Sequence, residues 1–274
     1  RVAVPAARFA VMEPKRGLFA GGGSTVRLPR QMPYPLAMEL LLTAGPWMSG
    51  NRTLEDKYLS ATIGAAEMVL KGCTAAYDLI GEFPMPSSDD LTAVGQAYRD
   101  VGMRAVVAPM VADISFFEAI PGLLDRLSPG LQRDVERFRL APYKSSIAAM
   151  RKALKGWNVD RHDIGMAVAP TIPHHCSDNF LLACLKLARD FGVGLQSHVA
   201  ESKVQAVVGY QRYGSSLLSH MDKLGLVGPD FTVAHGVWLD DDDNKLLGDK
   251  GGSVSHNPGS NMRLGNGLAD MRGM

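Results

Sequence analysis

Three residues of this sequence carry groups suited to metal and proton chemistry: His198, Glu201 and His235. In HVAE (198–201) an imidazole is followed three positions later by a carboxylate. A neutral imidazole is a good ligand for Zn²⁺ or Fe²⁺. A divalent ion brings the pKa of water toward neutrality. A carboxylate beside it can take that proton and give it to a leaving nitrogen. A plainer reading of Glu201 competes: a carboxylate at the start of a helix favours the macrodipole. Spacing alone does not separate the two. Thr171, His174, His175 and His256 fall at comparable places. A single histidine is more often an ordinary packed or surface group than a ligand. Histidines at the same end of successive elements are harder to set aside.

The elements that must position these groups are short apolar runs, most of them separated by amphipathic stretches. Residues 73–80, 104–110, 163–170, 193–199, 231–236 and 252–257 read as strands. Thr53-x-x-Asp56 and Ser87-x-x-Asp90 start helices that end at Gly72 and near Gly102. Residues 111–162 hold a longer insertion with helices near 129–139 and 144–155. Ser177 or Asp178 caps a further helix, and others run from about 201 to 213 and near 215–224. This rhythm is the signature of parallel βαβ units, in a (β/α) barrel or an open doubly wound sheet. No G-x-G-x-x-G follows the first strand, which weakens the dinucleotide-binding version. In both folds the site lies at the C-terminal ends of the strands. Asp78 closes the first readable strand. Thr171, His174 and His175 follow a later one, and His198, His235 and His256 end the next three. All are expected to face the same way.

Composition narrows the class. Hydrophobic residues make up 46% and charged residues 21%, with a net charge of +1. That fits a soluble globular protein and favours neither nucleic acid nor a membrane surface. No apolar stretch is long enough for a transmembrane helix. The three cysteines, Cys73, Cys176 and Cys184, form no C-x-x-C pair and suggest a reducing, cytoplasmic compartment. Residues 1–50 are a poorly defined N-terminal segment. GGGST (21–25) and the prolines at 29, 33 and 35 indicate loop, and no Lys-Ser/Thr follows to make a phosphate cradle. The sequence opens on Arg1 and stops at Met274, and is expected to be incomplete at both ends.

At these motifs the chain resembles the amidohydrolase superfamily. The branch is that of cytosine deaminase, guanine deaminase, the triazine hydrolases and the adenosylhomocysteine/methylthioadenosine deaminases. QSHVAES (196–202) is similar to its strand-5 signature H-x-A-E, and VAHGVWLD (233–240) to its strand-6 signature A-H-x-x-x-L. SVSHNPGSNMRLGNG (253–267) is similar to the strand-7 segment, where H-x-P-x-S-N and then L-G-x-G are typical. APTIPHHCSD (169–178) is similar to the strand-4 segment A-P-x-x-P-x-x-C-S, and KGCTAAYD (71–78) to the strand-2 segment. The resemblance covers roughly residues 50–274.

The resemblance implies an α/β fold, a (β/α)8 TIM-like barrel of the metal-dependent hydrolase type. Residues 51–274 would form a partial barrel, strands 2 to 7. It implies one Zn or Fe divalent ion per subunit, a small heterocyclic substrate and a homo-oligomer. His198 would be a metal ligand and Glu201 the proton shuttle. His235 would hold and polarise the activated water or the substrate, or bind metal in a dinuclear variant. Asn261 and Ser260 would shape the mouth, unless they only stabilise a turn. Thr171 stands where a substrate-binding histidine often sits. His174 or His175 would take over that role, unless they are surface loop histidines. The aspartates at 240–243 would start the helix after strand 6, as a solvated face. Trp47, Trp238 and the methionines near 262–274 could stack on a planar substrate or simply pack. The family's strand-1 H-x-H has no counterpart, because residues 1–50 contain no histidine. Its strand-8 aspartate would lie past Met274, and its small β-sandwich, built from both termini, has no counterpart either. Three outcomes stay open. One is hydrolytic deamination or dechlorination of an aromatic N-heterocycle. The others are opening of a cyclic amide, and a truncated, non-catalytic barrel.

Overall fold

Capping chemistry sets the helix starts that position the first strands. The computed structural model describes residues 52–82, 84–136 and 140–274. The expectations for residues 1–50, Trp47 included, and for the end of the helix at 129–139 lie outside the described residues. Helix α1 (Leu54–Leu70) begins at a reciprocal box: Thr53 Oγ1 accepts from the Asp56 N–H, and the Asp56 carboxylate accepts from the Thr53 N–H. Strand β1 (Ala75–Gly81) follows. Ser87 caps α2 (Ser88–Val101), and Gly102, at φ 77°, ends it and leads into β2 (Arg104–Val111).

All strand pairs are parallel. β1 pairs with β2, and β2 with both β3 (Ile164–Met166) and β4 (Ala169–Pro170). β5 (Leu195–Val199) pairs with β6 (Phe231–His235), and β6 with β7 (Ser253–Ser255). The single strand expected at 163–170 is interrupted, and that segment joins the two sheets. Ala167 N–H donates to Val107 O on β2, while Val168 N–H donates to Gly194 O next to β5. Gln196 N–H then donates back to Val168 O. The order β1–β2–β3/β4–β5–β6–β7 is therefore six successive positions of a parallel α/β barrel.

Among the described residues four helices fill the insertion after β2: α3 (Phe116–Ala119), α4 (Leu123–Arg126), α5 (Pro129–Glu136) and α6 (Tyr143–Gly156). The spacing predicts only the last two. α3 and α4 are four-residue turns, too short to leave a periodic mark. The later helices are α7 (Asp178–Phe191), α8 (Lys203–Tyr213), α9 (Leu217–Lys223), α10 (Asp241–Asp249) and α11 (Pro258–Leu264). The core is built from the helix faces and strands together: Leu91, Val107, Met150, Ile164, Phe180, Leu187, Leu218 and Phe231 are all fully buried. Each such side chain contributes about 1.5–3 kcal/mol relative to exposure. No helix among the described residues is long and apolar enough to cross a membrane.

One close approach gives a test of this packing. A Cβ on Gly95 of α2 would lie 2.6 Å from Cη2 of Trp157 and 2.9 Å from its Cζ2. The ring is not free to swing, because its Nε1–H donates to Ile164 O at 2.9 Å and the residue is buried. Alanine would gain about 1 kcal/mol of helix propensity, but overpacking costs about 1–3 kcal/mol. Gly95→Ala is therefore expected to lower the urea unfolding midpoint. An unchanged or higher midpoint would mean that the indole gives way.

Candidate functional site

His198 is oriented by the backbone of the neighbouring strand segment. Its Nδ1 lies 2.7 Å from Thr171 O, and its own N–H donates to the same carbonyl at 2.8 Å. A carbonyl only accepts, so Nδ1 carries the hydrogen and Nε2 keeps its lone pair. That is the tautomer that ligates a metal. Burial lowers the pKa of this imidazole, opposed by the Thr171 bond, and keeps it neutral. Thr171 thus enters the site through its carbonyl. Its hydroxyl lies 3.8 Å from Met110 Sδ instead.

Beyond β5 the chain turns sharply. Ala200 has φ 53° and His235 φ 76°, the two non-glycine residues with positive φ among the described residues. Each such conformation costs on the order of 1–3 kcal/mol and persists only where the surroundings over-determine it. Here two backbone bonds do so. Trp238 N–H donates to Ala200 O at 2.8 Å, and Gly236 N–H to Val199 O at 3.2 Å. They tie the end of β5 to the end of β6 and bring Glu201 back over His235. The rings of His198 and His235 stack at 5.3 Å between centroids. Glu201 Oε1 lies 3.6 Å from His235 Nε2, and both side chains are largely buried.

Glu201 is not a helix-start carboxylate. Ser202 caps α8, its Oγ accepting from the Gln205 N–H. The Glu201 N–H donates to Gln205 Oε1 at 3.1 Å. Its carboxylate accepts from Gln205 Nε2 through Oε2 and from Asn266 Nδ2 through Oε1, both at 3.3 Å. His235 is held in turn: its Nδ1 lies 2.7 Å from Oδ1 of Asn261, which is fully buried. An amide oxygen accepts, so here too the hydrogen sits on Nδ1. Asn261 is thus more than a turn residue, while Ser260 is exposed. Neither Gln205 nor Asn266 is marked by its residue type or spacing. Gln205 looks like any helix residue, and the one hint of Asn266 is its place in LGNG.

Other expectations are corrected. Asp78 lies mid-strand in β1, and its carboxylate accepts from the Tyr98 hydroxyl on α2 at 3.0 Å. It faces the helices and not the strand ends. His174 and His175 are not surface residues; both are buried on a 3₁₀ turn, Pro173–His175. Their rings meet edge to face at 4.6 Å, and His174 O accepts from Arg212 Nη1 at 2.9 Å. Burial, then the neighbouring His175 and Arg212, push His174 down to about 3. Burial, then Arg212 and His198, push His175 to about 4. Both are neutral at pH 7. Asp240 caps α10 as expected, but Asp243 is buried and accepts from the Ser216 hydroxyl. Trp238 donates Nε1–H to Asn266 O at 2.9 Å, so its polar edge is committed to the loop after α11.

The donor set can be tested against a metal. His198 offers a buried Nε2 lone pair, its Nδ1–H held by the Thr171 carbonyl, and the stacked His235 ring offers another. These fit a divalent ion as part of its shell. Among the described residues no group of three His, Cys, Asp or Glu stands where one ion could be held.

Comparison with known proteins identifies the family. The model of the amidohydrolase family matches residues 36–274. The chain is 30% identical over 218 residues to 5'-deoxyadenosine deaminase of Methanosarcina mazei, covering 79% of this chain and 43% of that protein. It is 30% identical over 213 residues to the 5-methylthioadenosine/S-adenosylhomocysteine deaminase of Syntrophobacter fumaroxidans, covering 77% and 42%. The chain thus spans less than half the length of these curated relatives. Among solved structures, atrazine chlorohydrolase of Arthrobacter aurescens complexed with zinc superposes with a TM-score of 0.71 at 19% identity, over 92% of this chain and 54% of that one. The fold is that of a TIM-like barrel, and the chain belongs to the amidohydrolase family.

Proposed function

We propose that this chain is the central part of a metal-dependent hydrolase that deaminates a small aromatic N-heterocycle, with an adenosine derivative the first class to test. The observation that carries the reading is the placement of Glu201. Its carboxylate is held by Gln205 and Asn266, 3.6 Å from Nε2 of His235, whose ring stacks on that of His198. The deaminase relatives support the substrate class.

His198 would hold the ion, Zn or Fe, one per subunit. A divalent ion there supplies Lewis acidity that makes water a competent nucleophile near pH 7. The chain's own residues do the rest. Glu201 takes a proton from the attacking water as its oxygen bonds to the ring carbon. It then gives that proton to the amino nitrogen, and the carbon–nitrogen bond breaks to release ammonia. His235, its Nδ1–H fixed on Asn261, keeps Nε2 toward the same space and orients the water or substrate. Thr171, His174 and His175, which follow β4, are proposed to contact substrate. The protein is further proposed to be a cytoplasmic homo-oligomer. The free state of Cys73, Cys176 and Cys184 supports the first, and light scattering tests the second.

The absence of a three-donor group among the described residues favours a second reading, a barrel that does not catalyse. One experiment separates them. The complete protein, purified with Zn or Fe(II), is expected to carry about one equivalent per subunit and to release ammonia from 5'-deoxyadenosine, 5'-methylthioadenosine or S-adenosylhomocysteine. His198→Ala is expected to lose the metal. Less than about a tenth of an equivalent in the parent would establish the non-catalytic barrel. Metal without ammonia release, but with ring opening of a cyclic amide, would assign the other branch of the chemistry.

A further inference from the structure

Glu201 and His235 are both held by one short segment. Asn261, on α11, accepts from His235 Nδ1 at 2.7 Å. Five residues later Asn266 donates to Glu201 Oε1 at 3.3 Å, across 65 positions of sequence. The two asparagines are tied to each other, because Asn266 N–H donates to Asn261 O at 2.9 Å. Gly265 makes this possible: at φ 72° it ends α11 and turns the chain so that Asn266 follows directly. The segment is pinned from outside as well. Trp238 Nε1–H donates to Asn266 O, while Trp238 N–H donates to Ala200 O, next to Glu201.

We propose that Asn266 is a positioning residue, which fixes the Glu201 carboxylate relative to His235. This rests on the reading of Glu201 as the proton carrier. A carboxylate on a single Cγ–Cδ bond rotates freely unless both oxygens are held. Gln205 Nε2 holds Oε2, and Asn266 Nδ2 holds Oε1, the oxygen that faces His235 Nε2. Without Asn266, Oε1 loses its one side-chain donor among the described residues. A proton carrier must keep its geometry within a fraction of an ångström between two transfers.

The test is Asn266→Asp in the complete protein, measured for ammonia release from 5'-deoxyadenosine and 5'-methylthioadenosine. The substitution is isosteric and keeps both backbone bonds, but puts an acceptor where the donor stood. kcat is expected to fall about 10–100-fold, the range typical of residues that orient a site group, with KM within about threefold and metal content unchanged. Asn266→Ala should fall similarly and guards against misfolding of the first variant. The readout independent of turnover is the Asn266 side-chain NH₂ resonance in metal-free, ¹⁵N-asparagine-labelled protein, assigned by its loss in N266D. It should shift on Glu201→Gln. A kcat within twofold of the parent in both Asn266 variants, or an NH₂ resonance that ignores Glu201→Gln, overturns the proposal. If Glu201→Gln itself retains full turnover, the proton-carrier reading falls first and takes this inference with it.

Discussion

Glu201→Gln is expected to lower turnover about 10²–10⁴-fold, the usual contribution of a positioned general acid–base, while the protein stays folded and keeps its metal. That loss corresponds to about 3–5 kcal/mol of transition-state stabilisation. The substitution is nearly isosteric. The amide oxygen can still accept from Gln205 or Asn266, but one of these donors then faces an NH₂ group. Losing one such bond costs about 1 kcal/mol of stability, far less than the loss in rate. What the amide lacks is a lone pair basic enough to take a proton from water. The check is kcat at saturating substrate, with metal per subunit and the denaturation midpoint measured on the same preparation. A fall of less than about tenfold would remove Glu201 from the proton path. A large fall accompanied by loss of metal would move it to ion binding instead.

The parts of this fold that could be read in the sequence are those governed by local chemistry. Barrel strands are buried on both faces, so 104–110 and 193–199 stand out as apolar runs whatever surrounds them. The caps at Thr53, Ser87 and Ser177 are side-chain-to-backbone bonds spanning three residues, and all three form where the spacing places them. His198 and His235 were legible because strand ends are legible. The rest depends on contacts between distant residues. Asn266 reaches Glu201 from 65 positions away, and the Thr171 carbonyl reaches His198 from 27. A backbone carbonyl as orienting group has no residue-type signature at all. His174 and His175 follow proline in a stretch that reads as loop, yet the 3₁₀ turn buries them. Asp78 lies on the face of β1 that packs against α2, where it accepts from Tyr98, and residue type alone does not show which face a strand residue presents.

Lys57→Met is expected to destabilise the protein by about 3–5 kcal/mol, the cost of leaving a buried charge without its partner. Lys57 sits on α1, and its Nζ lies 2.8 Å from Glu82 Oε2 and 2.8 Å from Asp90 Oδ1. The side chains of Lys57 and Glu82 are only 6% and 3% exposed. Arg52 reaches Glu82 more distantly, at 3.5 Å. One ammonium therefore joins α1 to the end of β1 and the first turn of α2. Burial raises the Glu82 carboxyl pKa, opposed by the bond to Lys57, then by the charges of Lys57 and Arg52. Removing Lys57 takes away most of that opposition, so the folded-state value climbs further. A carboxyl whose folded pKa is raised binds more protons folded than unfolded, so stability falls as pH rises. The effect begins above the ordinary value of 4.5 and is complete once pH passes the raised one. The gap in urea midpoint between parent and variant should therefore be wider at about pH 8 than at about pH 5. Adding Glu82→Gln to Lys57→Met should recover part of the stability and flatten that pH dependence. A single variant with the same small gap at both pH values would show that the cluster is solvated and contributes no more than a surface ion pair.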